Sequence, residues 1–198
     1  MDIYKYIYIK ENAISLELCK EIIYLYESMP NKYNGNTGSG YKKHIKNTTD
    51  YNIPMKTSKR TSLYEYDIWK NISNLLLKTL NNNINKYFNN INNPHYKNIF
   101  IDTLLMHKYE KGCGEYKIHT DNACKIIENV VVDRIVTFIF YINDVYEGGE
   151  TEIWNNTKII PKAGKLLLFP ACWTFPHCGK MPISNNKYII TGWFYKTN

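Results

Sequence analysis

The sequence predicts a mostly β fold with flanking helices, and three observations lead there. Apolar residues recur at helical spacing only in the first half of the chain. Short strand-like runs separated by turn residues fill the second half, and nothing repeats internally. Closely spaced short strands with turn signals between them are the mark of sandwiches and barrels. At 198 residues the chain has the length of one domain. Residues 1–97 hold an N-terminal strand, helices and a candidate lid loop, and residues 98–198 hold the β core.

Taken in order, residues 3–9 (IYKYIYI) alternate apolar and polar and predict a first strand. Ser15 is placed to cap a helix that carries Leu18, Cys19, Ile22, Leu25 and Tyr26 on one face, with Glu17 at its positive end. Pro30 stops it. Residues 30–58 carry Gly35, Gly38, Gly40, Pro54 and many Asn without any period, which predicts a long loop, either a lid or disordered. Ile68, Ile72, Leu75, Leu76, Leu80, Ile84 and Phe88 then recur at three- and four-residue spacing, predicting a helix over about 67–91 that Pro94 ends. Strand-like runs follow at 99–109, 130–142, 150–154, 157–160, 165–169 and 187–195. Gly112, Gly114, Asn143-Asp144, Gly148-Gly149, Asn155-Asn156 and Ala163-Gly164 supply the turns between them.

Composition narrows the function classes. The formal net charge of +7 could suit an acidic partner. The basic residues are scattered lysines, however, and the densest cluster, Lys42, Lys43, His44 and Lys46, reads as a solvated loop. Heavy use of Asn, Lys, Ile and Tyr reflects an AT-rich coding bias, which fits a large DNA virus among other sources. Five cysteines without Cys-x-x-Cys spacing predict free thiols in a reducing compartment. The N-terminus lacks the apolar core of a signal peptide, and no run is long enough to span a membrane, so an intracellular site is expected.

The chemistry centres on His119-Thr-Asp121 and a distant His177. Alternate residues of a strand share a face, so His119 and Asp121 can present their side chains on one edge. A histidine on a neighbouring strand completes a set of two imidazoles and one carboxylate, which leaves open positions on an octahedral iron(II). Lys187 lies ten residues after His177 and begins an otherwise apolar strand. A cation near a metal but not on it is what the far carboxylate of a bound diacid requires. Tyr109, on the strand leading into His119, can add a hydroxyl donor to that carboxylate.

Six stretches in this order resemble the prolyl-4-hydroxylase-like branch of the 2-oxoglutarate/Fe(II) dioxygenases. They are Tyr109–Gly112, Tyr116 to Asp121, Arg134 to Thr137 with Tyr141, Gly148 to Thr151, Pro161 to Gly164 with Phe169, and His177 to Lys187 with Trp193. The resemblance implies a double-stranded β-helix (jelly-roll) core packed against the N-terminal helices. It implies His119, Asp121 and His177 as iron ligands, with Lys187, Tyr109 and Thr191 on 2-oxoglutarate, and Tyr116, Arg134 and Trp193 on the substrate side. The implied reaction couples oxidative decarboxylation of 2-oxoglutarate to succinate with hydroxylation of a substrate C–H bond. Iron(II), 2-oxoglutarate and O2 are the cofactors, L-ascorbate the accessory reductant, and a proline-containing protein or peptide the expected partner. One extra residue, within Gly112-Cys113-Gly114, separates Tyr109 from His119 relative to the common spacing.

Other readings are weaker. Nucleobase-repairing relatives carry two arginines after the distal histidine, one where this chain has Trp193, which argues against nucleic acid. Hydroxylation of another residue or a small molecule, and a non-catalytic jelly-roll binding module, remain as alternatives. A zinc hydrolase would lack a glutamate base at motif spacing and leave Lys187 without a purpose. Gly148-Gly149 reads as a β-turn, not a phosphate loop. Cys178 is expected to face away from the metal. His107 reads as a satisfied core histidine, and His44 and His95 have no partner at ligand spacing.

Overall fold

The computed structural model describes residues 3–56, 62–93, 98–127 and 129–197. Pro94, His95 and residues 57 and 58 of the expected loop lie outside them. The chain opens with a 3-10 turn, Ile3–Tyr6, where alternation predicts strand. Tyr6 packs edge-on against Phe175 instead of joining a ladder. Only Tyr8–Lys10 (β1) is extended.

Leu16–Ser28 (α1) starts where expected, with the Ser15 hydroxyl accepting the Leu18 N–H, and buries Cys19, Ile22 and Tyr26. It ends before Met29, which is extended, as the residue preceding Pro30 must be. Leu63–Asn90 (α2) begins four residues earlier than the apolar period predicts. A capping box there, Ser62 with Glu65, satisfies the first free N–H groups.

Residues 30–58 depart most from expectation. Within them lie five short strands: Tyr33–Asn34 (β2), Asn36–Thr37 (β3), Gly40–Tyr41 (β4), Lys46–Asn47 (β5) and Thr49–Ile53 (β6). Four are only two residues long and polar, so no alternation betrays them. β6 alone has the length to show a pattern, and its buried positions run consecutively through Asp50 and Tyr51.

The second half supplies Ile99–Ile101 (β7), Leu104–Tyr109 (β8), Glu115–His119 (β9), Cys124–Ile127 (β10), Val130–Tyr141 (β11), Thr151–Ile153 (β12), Thr157–Ile159 (β13), Leu166–Pro170 (β14), His177–Gly179 (β15) and Lys187–Thr197 (β16). The large sheet runs β1-β14-β11-β16-β8-β6-β2, with β10 on β11 and β7 on β16. The small sheet runs β13-β12-β15-β9-β5, and every pairing is antiparallel. This is the double-stranded β-helix expected, completed on both sheets by strands from the N-terminal half.

Alternation then sorts the side chains. Leu104 and Met106 on β8, Phe138 and Phe140 on β11, Leu166 and Leu168 on β14, and Ile190 and Phe194 on β16 join α1 and α2 in the main core. The opposite face of the large sheet, with Ile139, Leu167, Phe169 and Ile189, meets the small sheet's Ile153 and Ile159 in a second core. The helices therefore brace one face of the large sheet and leave the other free to form a cavity. No helix among the described residues is long and apolar enough to cross a membrane.

Candidate metal centre and its cavity

His119 closes β9 and His177 opens β15, and the two are Cα partners across the antiparallel ladder. That register brings the imidazole centroids to 4.3 Å. Asp121 follows in the turn after β9, with its carboxylate oxygens 3.8 Å from His119 Nε2 and 3.5 Å from His177 Nε2. The three donor atoms lie within 4.8 Å of one another. Each imidazole is oriented by its other nitrogen. His119 Nδ1 donates to the Lys117 carbonyl at 2.8 Å, and His177 Nδ1 donates to the Phe175 carbonyl at 3.0 Å. A carbonyl can only accept, so both Nδ1 atoms carry a proton and both Nε2 atoms face the set.

Electrostatics suit a cation at this place. Burial and the neighbouring His177 push His119 down to about 4. Burial opposes ionisation of Asp121, yet the hydrogen bond and charge of His177, with help from His119 and Thr137, hold its carboxyl well below the usual range. Burial also acts to lower His177, but Asp121 prevails and raises it. The set therefore holds an anion between two imidazoles.

Thr137, on β11, donates its hydroxyl to Asp121 Oδ2 at 2.8 Å, in full burial. Thr137 falls within the Arg134–Thr137 stretch, and nothing in the sequence there points to Asp121 as its partner. Arg134 shares its cavity-facing side although the two are three residues apart, an odd spacing that strict alternation would split between faces. A bulge between Arg134 and Val136 switches the face. The Arg134 guanidinium lies 3.5 Å above the Trp193 ring. Arg134 Nε and Trp193 Nε1 are buried with no hydrogen-bond partner. Tyr116 stacks flat on His119, 3.6 Å between centroids and 16° between planes.

These groups border one cavity of about 530 Å³ between the sheets, which also takes in Tyr109, Ile139, Ile189, Thr191 and Thr151. Lys187 does not border it. Its side chain is fully buried beside Tyr109, its Cα partner across the ladder, with Nζ 4.6 Å from the Tyr109 ring and 5.9 Å from that of Tyr141. Nζ makes no hydrogen bond, and burial pushes it down to about 7. An ammonium with no hydrogen-bond partner, set just behind the Tyr109 ring that lines the cavity, fits the far carboxylate of a diacid, just as the His/Asp/His donor set fits iron(II).

The extra residue between Tyr109 and His119 is absorbed in the turn. Gly112 has φ +75°, and a Cβ on Gly114 would lie 2.6 Å from Tyr109 Cα, so Tyr109 keeps its place on β8. Thr191 borders the cavity, but its hydroxyl donates to the Phe138 carbonyl at 2.7 Å and leaves no proton for an anion. Cys178 is buried and stands outside the donor set. His44 is exposed, whereas His107 is a satisfied buried histidine bonded to Asp50. Lys46 corrects the reading of a solvated basic loop: it is buried, 2.7 Å from Asp50. The signal was out of reach, since its partner sits in a stretch with no period.

Residues 104–195 match the family described as the 2OG-Fe(II) oxygenase superfamily. No curated protein matches the chain by sequence. Among solved structures, the viral collagen prolyl hydroxylase of Paramecium Bursaria Chlorella virus-1 in its 2OG complex is 17% identical, with TM-score 0.64 and 96% of each chain covered. A prolyl hydroxylase of Trichoplax adhaerens, in complex with a peptide fragment of the hypoxia inducible factor oxygen degradation domain, is 20% identical with TM-score 0.68. That alignment covers 96% of this chain and 83% of that one. A Pseudomonas putida prolyl-4-hydroxylase is 13% identical with TM-score 0.62, over 96% and 93%. At these identities the likeness carries the fold: this is a prolyl-4-hydroxylase-like architecture.

Proposed function

We propose that this chain, matched over residues 104–195 to the 2OG-Fe(II) oxygenase superfamily, is an iron(II)- and 2-oxoglutarate-dependent dioxygenase that hydroxylates proline in a peptide. The observation that carries the cofactor reading is Lys187: a fully buried ammonium without a hydrogen-bond partner, set behind Tyr109, which lines the same cavity as the His/Asp/His set. A scaffold or a hydrolase has no use for such a group, and leaving it unpaired is unfavourable.

In this reading His119, Asp121 and His177 hold iron(II) through Nε2, a carboxylate oxygen and Nε2. Lys187 takes the far carboxylate of 2-oxoglutarate, with the Tyr109 hydroxyl as a second donor. Iron(II) with 2-oxoglutarate and O2 supplies the oxidising power, leaving succinate and CO2. The protein orients and excludes water. Thr137 fixes which oxygen of Asp121 is free, the two backbone carbonyls fix the imidazole tautomers, and Ile139 and Ile189 keep the cavity wall apolar.

Proline specificity rests on a different part of the cavity. Arg134 Nε and Trp193 Nε1 are buried donors without acceptors, and a peptide offers carbonyls to both. The Trichoplax adhaerens neighbour carries a peptide in its complex, which supports a peptide as substrate.

The deciding experiment is an anaerobic titration of iron(II)-loaded protein with 2-oxoglutarate. The weak visible absorption of a bidentate keto acid on iron(II) is expected in wild type, lost in His177→Ala, and shifted to far higher 2-oxoglutarate in Lys187→Ala. Iron-loaded wild type that develops no such band refutes the oxygenase reading. Proline-containing peptides are then assayed for succinate release and for one added oxygen on proline, with and without L-ascorbate. Turnover only on other residues or small molecules would keep the oxygenase and overturn the proline assignment.

A further inference from the structure

Outside the donor set, the densest buried charge lies where the chain crosses from one sheet to the other. Lys46 on β5 is 5% exposed and Asp50 on β6 is 2% exposed. Asp50 accepts from Lys46 Nζ at 2.7 Å, from the Thr48 hydroxyl at 2.7 Å and from His107 Nδ1 at 2.6 Å. Lys46, Asp50 and His107 all border the cavity. The carboxylate is nevertheless engaged from three sides and is a poor acceptor for a substrate. The chain at Gly35 seals it, for a Cβ there would lie 2.1 Å from Thr48 Oγ1 and 3.2 Å from Asp50 Oδ2.

What the cluster offers is direction. Lys46 belongs to the small sheet and is paired with Tyr116 on β9. Asp50 belongs to the large sheet and is paired with His107 on β8. The ion pair therefore ties one sheet to the other beside the metal site. The Lys46 ammonium also stands 5.3 Å from the centre of the Tyr116 ring, the ring that stacks on His119. Apolar side chains of similar volume hold two sheets together at least as strongly, because a buried pair must first be desolvated. They do not fix the direction in which an aromatic ring faces, whereas a cation over its π-face does.

We propose that Lys46, held by Asp50 and His107, is a positioning residue that fixes Tyr116 against His119 and so sets the orientation of the His119 imidazole. The inference rests on His119 being a metal ligand.

The test uses the full chain with cobalt(II), whose d–d spectrum reports coordination geometry without any turnover, together with thermal melting. The variants are Lys46→Met/Asp50→Asn, which removes both charges at once, Lys46→Arg, which keeps the cation, and Tyr116→Leu, which removes the stack but leaves the cluster. The expected result is a shifted spectrum and about tenfold weaker cobalt(II) binding in the double variant and in Tyr116→Leu. Lys46→Arg should restore the wild-type spectrum. A folded double variant with wild-type spectrum and affinity overturns the proposal, since the cluster would then only hold the sheets. If the double variant does not fold, Tyr116→Leu decides, and an unchanged spectrum there overturns it equally. Wild type that takes up no cobalt(II) overturns the metal reading and this inference together, a failure visible before any variant is made.

Discussion

Lys187→Met should make the protein more stable and shift its response to 2-oxoglutarate to far higher concentration. The ammonium is fully buried without a partner, and its affinity for a proton falls from the ordinary 10.5 to about 7, chiefly through burial, with Glu150 and Cys178 opposing. At about 1.4 kcal/mol for each pH unit, that fall corresponds to about 5 kcal/mol as an upper figure, and relaxation would leave on the order of 2–3 kcal/mol. The sign follows from where the protons are. Between pH 7 and 10.5 the unfolded chain holds the proton and the folded chain has released it, so stability rises with pH across that window. The penalty is greatest below pH 7. Without metal or cosubstrate, Lys187→Met should unfold at higher denaturant than wild type at pH 7, and the gap should close by pH 10. Iron(II) should stabilise both proteins, and 2-oxoglutarate added to the iron(II)-loaded forms should then stabilise wild type further and leave the variant nearly unmoved at the same concentration. A variant less stable than wild type at pH 7, or a gap that ignores pH, would refute the reasoning.

Thr137→Val keeps the shape of the side chain and removes the proton on Asp121 Oδ2. Metal affinity by competition with a chelator should fall by about 10–100-fold, and a change under twofold would show that Asp121 needs no such support. Gly179→Ala places a Cβ 3.0 Å from the Tyr109 ring and hydroxyl. Titration should show a several-fold rise in half-saturating 2-oxoglutarate with little change in metal affinity, and equal losses of both would speak against a local effect. Tyr141→Phe strands the buried Thr151 hydroxyl it meets at 2.7 Å. Denaturant unfolding should register a loss of about 1–3 kcal/mol, and no loss would mean that the hydroxyl finds another partner.

The legible parts of this chain are those where pattern and chemistry coincide. Ser15 with an apolar period marks α1, and β8, β11, β14 and β16 announce themselves because both their faces are buried against something apolar. That His119, Asp121 and His177 come together was legible, because the proposed metal set needs particular residue types in a register that strands impose. The short strands between 33 and 53 were not, since four of the five carry only two residues and no period, and Asn and Thr there look like loop. Asp50 and Lys46 were invisible for the same reason: nothing local distinguishes a buried charge from a solvated one until its partner on the other sheet is known. The bulge at Arg134 defeats alternation outright. The start of α2 was within reach, for Ser62 and Glu65 stand at capping-box spacing ahead of the apolar period.

The two sheets divide the work, and that division explains where the buried polar links fall. The proposed metal set belongs to the small sheet and the segment after β9, while Lys187 and Tyr109 belong to the large sheet. A diacid held at both ends must match the separation of the sheets, and apolar packing sets such a distance only loosely because it has no direction. Among the described residues, buried side-chain links cross around the cavity from Lys46 to Asp50 and from Tyr141 to Thr151, sheet to sheet, and from Thr137 to Asp121 in the segment after β9. Each has a fixed length and angle, and each starts or ends beside a residue assigned to metal or cosubstrate. Their worth to net stability is modest, since every one displaces water from both partners. What they supply is a defined span, and on the proposed function a cavity that distinguishes a five-carbon keto diacid from its shorter and longer homologues needs that more than it needs further stability.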